Sequence, residues 1–366
     1  MKKLFDVVSH YQRIKRFYLR YERLLMPATL VIGFLVDYLT FTSIQITTTF
    51  ALLLIYWLIA GATIAFINLY NPDTLPQKLK YLWLFSPLII QFTFGALLGS
   101  SLIFYWLSSA FSVSWPIILV VALLMVFNEI FRHYFLKPIV QISVYFFTTF
   151  SLFSLILPYL FNSFSPWLFV LAGTLSSILF YSYITILARA KNHIQQQKKQ
   201  FLVSIFAILL VMNFFYFSNI IPPIPLSLRE AGLYHDLNIS GGLYHLQGEA
   251  ESIWEKIIPG QILHLKAGQK MYAYTAIFAP NRLQTKILHD WQYYDPEKKE
   301  WISRHILSFT ISGGRKAGYK GYSFASDVLP GKWRIYVKNE RGQVLGKIQF
   351  KVEKVEQEVK LQETVR

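Results

Sequence analysis

The chain of 366 residues contains no cysteine, which excludes disulfide staples, cysteine-ligated zinc and a cysteine nucleophile. Charge is scarce too: 15% of the residues are Asp, Glu, Lys or Arg, against roughly 25% in a soluble globular domain. Acid is scarcest in residues 1–221, where Asp6, Glu22, Asp37, Asp73 and Glu129 are the only carboxylates, while the other fifteen of the twenty lie in 222–366. Missing as well are both glycine-rich phosphate loops, G-x-G-x-x-G and G-x-x-x-x-G-K-[ST], and any Glu-x-x-His pair in an apolar run. What fills the chain is apolar: 54% of it is hydrophobic and 17% aromatic, with a mean hydropathy of +0.37. That composition excludes disorder and a coiled coil and points to a chain with much of its length in lipid.

A helix of about 20 apolar residues crosses roughly 30 Å of hydrocarbon with every amide paired internally. Seven such runs are expected, over 24–43, 48–70, 81–107, 115–131, 139–161, 166–188 and 201–221, making a transmembrane helical bundle of 24–221. The fifteen bases of residues 1–221 lie before the first run or in the loops after the second, fourth and sixth. The loops near 44–47, 108–114 and 162–165 carry none. Short cytoplasmic loops collect Lys and Arg, so the N-terminus is expected in the cytoplasm and residues 222–366 outside. Fifteen bases against five acids give this part +10 as a topology signal, and only +6 remains for the rest.

Residues 1–23 read as an amphipathic basic segment on the membrane surface. Leu4, Val7, Val8, Tyr11, Ile14, Tyr18 and Tyr21 share one face, and Arg13, Arg16, Arg20 and Arg23 the other. Its expected partner is anionic lipid of the bilayer rather than nucleic acid, with a simple topology determinant as the alternative, and its basic stretch is too long for a cleavable signal peptide. Polar residues inside the runs are few. Asp37, Gln91 and Asn213 are the intramembrane candidates for a transport role, with an interhelical hydrogen bond as the ordinary explanation. The pairs Gly61/Ala65, Gly95/Gly99 and Gly173/Ser177 suit close helix packing.

The character changes at Pro222-Pro223-Ile224-Pro225, the start of a Pro-rich linker over 222–230. Period-two alternation follows: Ile287, His289, Trp291 and Tyr293 alternate with Lys286, Leu288, Asp290 and Gln292, and similar patterns run over 333–338 and 348–352. Asp295-Pro296-Glu297, Pro330-Gly331 and Asn339-Glu340-Arg341-Gly342 separate such runs as hairpin turns. With further strands at 242–247, 271–279, 301–311 and 319–326, the expected fold of 231–355 is a small all-β antiparallel sandwich of about seven strands, and 356–366 is a charged tail.

Ile221-Pro222-Pro223-Ile224-Pro225-Leu226, Gly232-Leu233-Tyr234-His235, Phe278-Ala279-Pro280, His289-x-Trp291, Gly313-Gly314-Arg315, Gly318-Tyr319-Lys320-Gly321-Tyr322-Ser323 and Pro330-Gly331-Lys332-Trp333-Arg334 carry a resemblance. Over about 220–355 the chain resembles the C-terminal β domain of uncharacterised bacterial envelope proteins, catalogued only as a domain of unknown function behind a multi-span membrane region. The resemblance implies a bacterial inner-membrane setting and carries over no catalytic residue.

The most suggestive local feature of this domain is the glycine-rich segment 312–322. There Gly313 and Gly314 let amides converge on an anion, Arg315, Lys316 and Lys320 supply charge, and Tyr319 and Tyr322 supply ring faces for a sugar or lipid headgroup. The competing explanation is a glycine-shaped hairpin with solvated bases. Of the histidines His235, His245, His264, His289 and His305, the first two lie in a repeated Gly-Leu-Tyr-His and could meet on neighbouring strands near His289; surface or core roles are the commoner use, and no metal or cofactor is expected. Trp254, Trp291 and Trp301 are the first residues to test for glycan stacking. No nucleophile elbow and no apolar carboxylate pair supports an enzyme. The expectation is therefore a multi-pass inner-membrane protein whose external β domain binds an envelope glycan, lipid headgroup or protein partner without catalysis. The alternative is a transporter or membrane-embedded enzyme in which the bundle acts and the β domain gates or docks.

Overall fold

The computed structural model describes residues 46–107, 111–130, 137–163, 165–221, 226–249, 261–279, 284–312, 318–326, 328–357 and 359–366, with part of 12–36. Asp37, the Pro spacer 222–225, Trp254 and residues 313–317 lie outside that set. The chain divides into two compact units, one of Met1–Phe104, Pro116–Leu160 and Ser165–Phe217, the other of Tyr105–Trp115, Phe161–Phe164 and Ser218–Arg366.

The first unit is helical. Its long described helices are α1 (Ile46–Leu69), α2 (Gln77–Leu107), α3 (Phe111–Ile130), α4 (Pro138–Phe161), α5 (Pro166–Ala190) and α6 (Asn192–Phe217). Five of them are long and apolar enough to cross a membrane, whereas the apolar part of α3 is the shorter Ser114–Phe127. The expected start of the last run at 201 is corrected to Asn192, because the stretch His193 through Gln200, polar except for the buried Ile194, continues the helix and hydropathy marks only its apolar remainder.

Hydroxyls in these helices turn back on their own backbone. Thr63 donates to the Ile59 carbonyl, Ser86 to Leu82, Ser100 to Ala96 and Ser176 to Ala172, which satisfies each in surroundings that offer little else. The core is aromatic: Phe169 stacks on Tyr216 with centroids 3.8 Å apart, and Phe146, Phe150 and Phe180 are fully buried. Gly61 serves packing, since a Cβ there would stand 2.3 Å from the Tyr145 hydroxyl.

The second unit is β-rich: β1 (Ser227–Tyr234), β2 (Asp236–Ser240), β3 (Leu243–Glu249), β4 (Gln261–Leu265), β5 (Met271–Phe278), β6 (Gln284–Asp295), β7 (Glu300–Ser312), β8 (Tyr319–Ala325), β9 (Gly331–Asn339), β10 (Val344–Lys354) and β11 (Leu361–Val365). The alternation of β6 holds, with Ile287, His289 and Trp291 inside. Three sheets form, in the orders β1-β5-β8, β4-β10-β9-β6-β7 and β11-β3-β2. Leu233, Met271, Ala273 and Ala325 of the first pack against Trp291, Trp333, Ile335 and Phe350 of the second. Tyr274 and Ala276, on the other side of β5, pack against Leu246 of the third. Strand β5 is thus covered on both faces, and a third sheet is added to the expected sandwich.

Three further expectations change. Eleven described strands replace about seven, and β4 runs parallel to β10, so the β part is mixed rather than wholly antiparallel. Pro330-Gly331 joins β8 to β9 across two sheets instead of closing a hairpin. The last residues, expected as a charged tail, form β11, paired from Leu361 to Val365 with β3. The other two turns do close hairpins. Asp295 Oδ1 accepts from the Glu297 and Lys298 amides, and Asn339 Oδ1 from those of Arg341 and Gln343, with Gly342 at φ +78°.

Candidate functional site

The outward face of the five-stranded sheet is built by period two. With Ile287, Trp291, Trp333, Ile335, Phe350 and Val352 turned to the core, the alternating residues must face out. Strand register then sets Gln292, Arg334 and Gln349 in one row, Asp290, Tyr336 and Lys347 in the next, and Leu288 beside Lys338. The Arg334 guanidinium lies 4.1 Å from the Trp301 ring centre and 4.9 Å from that of Tyr336, and its Nε donates to Gln292 Oε1 at 2.8 Å. Lys338 Nζ lies 5.0 Å from the Tyr336 ring and Lys332 Nζ 5.9 Å from that of Tyr294. Lys286, Lys347 and Lys351 extend this cationic, aromatic surface. Asp290 is its buried carboxylate, accepting from Lys338 Nζ at 2.6 Å, Ser303 Oγ at 2.6 Å and Gln292 Nε2 at 2.7 Å. Burial pushes its pKa up, but these donors and the Lys338 charge outweigh burial and hold it below its ordinary value.

A second feature opens between the other two sheets. A cleft of about 500 Å³ is walled by β1 (Arg229 to Tyr234), by Gly248 and Glu249 of β3, and by Gln362, Thr364 and Arg366 at the C-terminal end, with Tyr274 in its lining. Gly232 and Gly248 make room for the Tyr234 side chain in its wall, since a Cβ on either would meet that side chain at 2.8 to 3.1 Å. Arg366 Nε pairs with Glu230 Oε2 at 2.9 Å. Glu249 belongs to a tied network: it accepts from His235 Nε2 at 3.0 Å, His264 Nδ1 at 2.8 Å and the His264 amide at 2.7 Å. Gln269 Nε2 in turn donates to His235 Nδ1 at 3.1 Å. Burial raises the Glu249 pKa, and these bonds overcome it to leave the group below its usual range. Tyr274 differs from these neighbours, because its hydroxyl is buried without a hydrogen-bond partner.

His289 lies in the core between sheets. Trp291 Nε1 donates to Ser323 Oγ at 3.0 Å, Ser323 reaches His289 Nδ1 at 2.7 Å, and His289 Nε2 reaches Thr275 Oγ1 at 3.1 Å. Every donor is used if Ser323 gives its proton to Nδ1 and Nε2–H donates to Thr275. Burial lowers the His289 pKa to about 4. This Ser–His contact has no access to a substrate, since His289 and Ser323 are both buried.

The glycine-rich segment is described only in part. Gly313, Gly314, Arg315 and Lys316 lie outside the described residues. Tyr319 packs half-buried on the core, while Tyr322 is exposed on the opposite face of β8 with Lys320, whose carbonyl accepts from Tyr244. The strand histidines do not converge: His245 pairs with Glu363 at the surface, away from His235 and His289 in their separate networks. Trp291 is core and Trp301 is on the cationic face. Of the bundle candidates, Gln91 is buried in α2 and Asn213 donates to its own helix at Leu209. An apolar cavity of about 260 Å³, lined by Ile117, Val144, Phe147 and Met212 among others, includes neither. Sequence reasoning missed Arg334, Tyr336, Tyr274 and Glu230. Gly232 and Gly248 interrupt strands where a close approach is the usual reason, and the approach here is that of the Tyr234 side chain.

Residues 284–352, from β6 through most of β10, match the family described as "Protein of unknown function (DUF2914)". No curated protein matches the chain. Among solved structures, an immunoglobulin-like protein from Pseudomonas aeruginosa is similar at 16% identity, covering 32% of this chain and 97% of its own, with a TM-score of 0.19. A mutant beta-glucosidase from Listeria innocua in complex with laminaribiose is 10% identical over 34% of this chain and 16% of that one, TM-score 0.18. An alkylpurine DNA glycosylase from Pseudomonas fluorescens is 11% identical over 92% and 97%, TM-score 0.20. Similarities this low carry no argument.

Proposed function

We propose that this chain is an integral protein of the bacterial inner membrane whose outward β unit binds an envelope component without turning it over. Five long apolar helices support the membrane setting, and the alternation of basic and base-free loops supports the orientation. The observation that carries the binding reading is the cationic, aromatic face around Arg334, Trp301 and Tyr336, all within the matched segment. Arginine between two rings is held ready for an anionic headgroup, an acidic glycan or an acidic protein surface. Arg315, Lys316 and Lys320 of the glycine-rich segment are further candidate contacts. Its polar groups resemble a binding surface more than a reaction centre, because Asp290 is committed to three donors.

The test titrates the full chain, in nanodiscs of neutral lipid, with polygalacturonate and with phosphatidylglycerol vesicles. Binding that weakens with salt and falls about tenfold in the double variant Arg334→Ala/Lys347→Ala is expected. Absence of binding to both probes, or cleavage of the polymer, would overturn the reading.

A further inference from the structure

We propose that the cleft between β1 and β11 is a binding site for an uncharged saccharide. This site is separate from the cationic face and extends the binding reading to a second ligand class.

Three observations point there. First, the cleft is built rather than incidental: at about 500 Å³ it falls among the volumes of small-ligand sites, roughly 300–1,000 Å³. Gly232 and Gly248 let the Tyr234 side chain lie close against β1 and β3 in its wall. Second, Tyr274 is almost wholly buried, lines the cleft, and has a hydroxyl with no partner. Leaving such a group unpaired is costly, and a ligand hydroxyl would answer it. The Glu230–Arg366 ion pair, at 2.9 Å, lines the same cleft as this phenol.

Third, the balance of charge selects the class. Arg229 and Arg366 stand with Glu230 and Glu249, so an anion would meet two carboxylates and a cation two guanidinium groups. A sugar hydroxyl both donates and accepts, and it can bridge the Glu230–Arg366 pair without upsetting that balance. Gln362 and Thr364 add groups that also do both, and the half-buried ring of Tyr234 offers an apolar face to the C–H side of a pyranose.

The experiment uses the full chain in nanodiscs, so that no sugar-headed detergent competes, and measures maltose, cellobiose and chitobiose by saturation-transfer NMR and calorimetry. At least one disaccharide is expected to bind tighter than about 10 mM. Tyr274→Phe, which removes only the unpartnered hydroxyl, should weaken it about tenfold. Arg366→Ala, at an exposed end, should weaken it comparably and keeps the test decisive should Tyr274→Phe fold poorly. No binding by any of the three, binding unaltered in both variants, or tighter binding of digalacturonate or trialanine at this cleft would overturn the proposal. If phosphatidylglycerol vesicles still bind through Arg334 while all three disaccharides fail, the saccharide site alone is refuted; if both fail, the wider binding reading falls with it.

Discussion

At the scale of single residues, burial decides what a polar group can do. His289 and Glu249 are both tied into networks and both pKa values fall, but burial lowers the first by favouring neutral imidazole and hydrogen bonding lowers the second by favouring the carboxylate. For His289 the consequence is a pH dependence. Its pKa falls from the ordinary 6.5 to about 4 in the fold, so between these values the unfolded chain takes up a proton that the folded chain refuses. The stabilisation is complete above pH 6.5 and is lost as pH falls through that window. It amounts to at most about 3 kcal/mol. Urea unfolding of the chain followed by near-ultraviolet circular dichroism should show that loss, and His289→Asn should flatten the slope between pH 6.5 and 4 although it lowers stability throughout. An unchanged slope would mean that His289 titrates in the fold as it does in water.

At the scale of elements, the legible strands were those with one wet face. Ile287, His289, Trp291 and Tyr293 alternate with polar residues because β6 has core on one side and solvent on the other. β5 reads Met-Tyr-Ala-Tyr-Thr-Ala-Ile-Phe and is buried on both faces, so its sequence shows a strand without showing the third layer that covers it. β11 was hidden for the opposite reason: an edge strand with Glu363 and a polar outer side has the composition of a solvated tail. The cationic face was half visible, since the outward positions could be counted, but the meeting of Arg334 with Trp301 and Tyr336 depends on register across three strands. The β9–β10 turn was legible as a hairpin from Asn339-Glu340-Arg341-Gly342, but not its hydrogen bonds. Asn339 receives the Arg341 and Gln343 amides and donates to Gln343 Oε1, while Gln343 donates to the Ile221 carbonyl. Asn339→Ala should therefore cost about 1–3 kcal/mol by leaving buried amides unpaired, read as a lower urea midpoint with unchanged m-value. A cost within about 0.5 kcal/mol would show that Gly342 alone sets the turn.

At the scale of the whole molecule, the proposed topology turns on α3. Its 20 residues would extend about 30 Å, barely the hydrocarbon thickness, and its apolar part, Ser114–Phe127, is shorter still. The proposed topology nevertheless requires it to cross. If α3 failed to do so, Lys137, Arg189, Lys191, Lys198 and Lys199 would lie on the side opposite Lys78 and Lys80, and the separation of basic from base-free loops would be destroyed. A reporter active only outside the cytoplasm should thus be active when fused after Arg366 and inactive when inserted after Lys137, with the complementary cytoplasmic reporter giving the reverse at each position. Cytoplasmic activity at Arg366 would place the β unit inside and remove the envelope from its candidate partners, while equal activity at both positions would show that α4 to α6 do not supply an odd number of crossings.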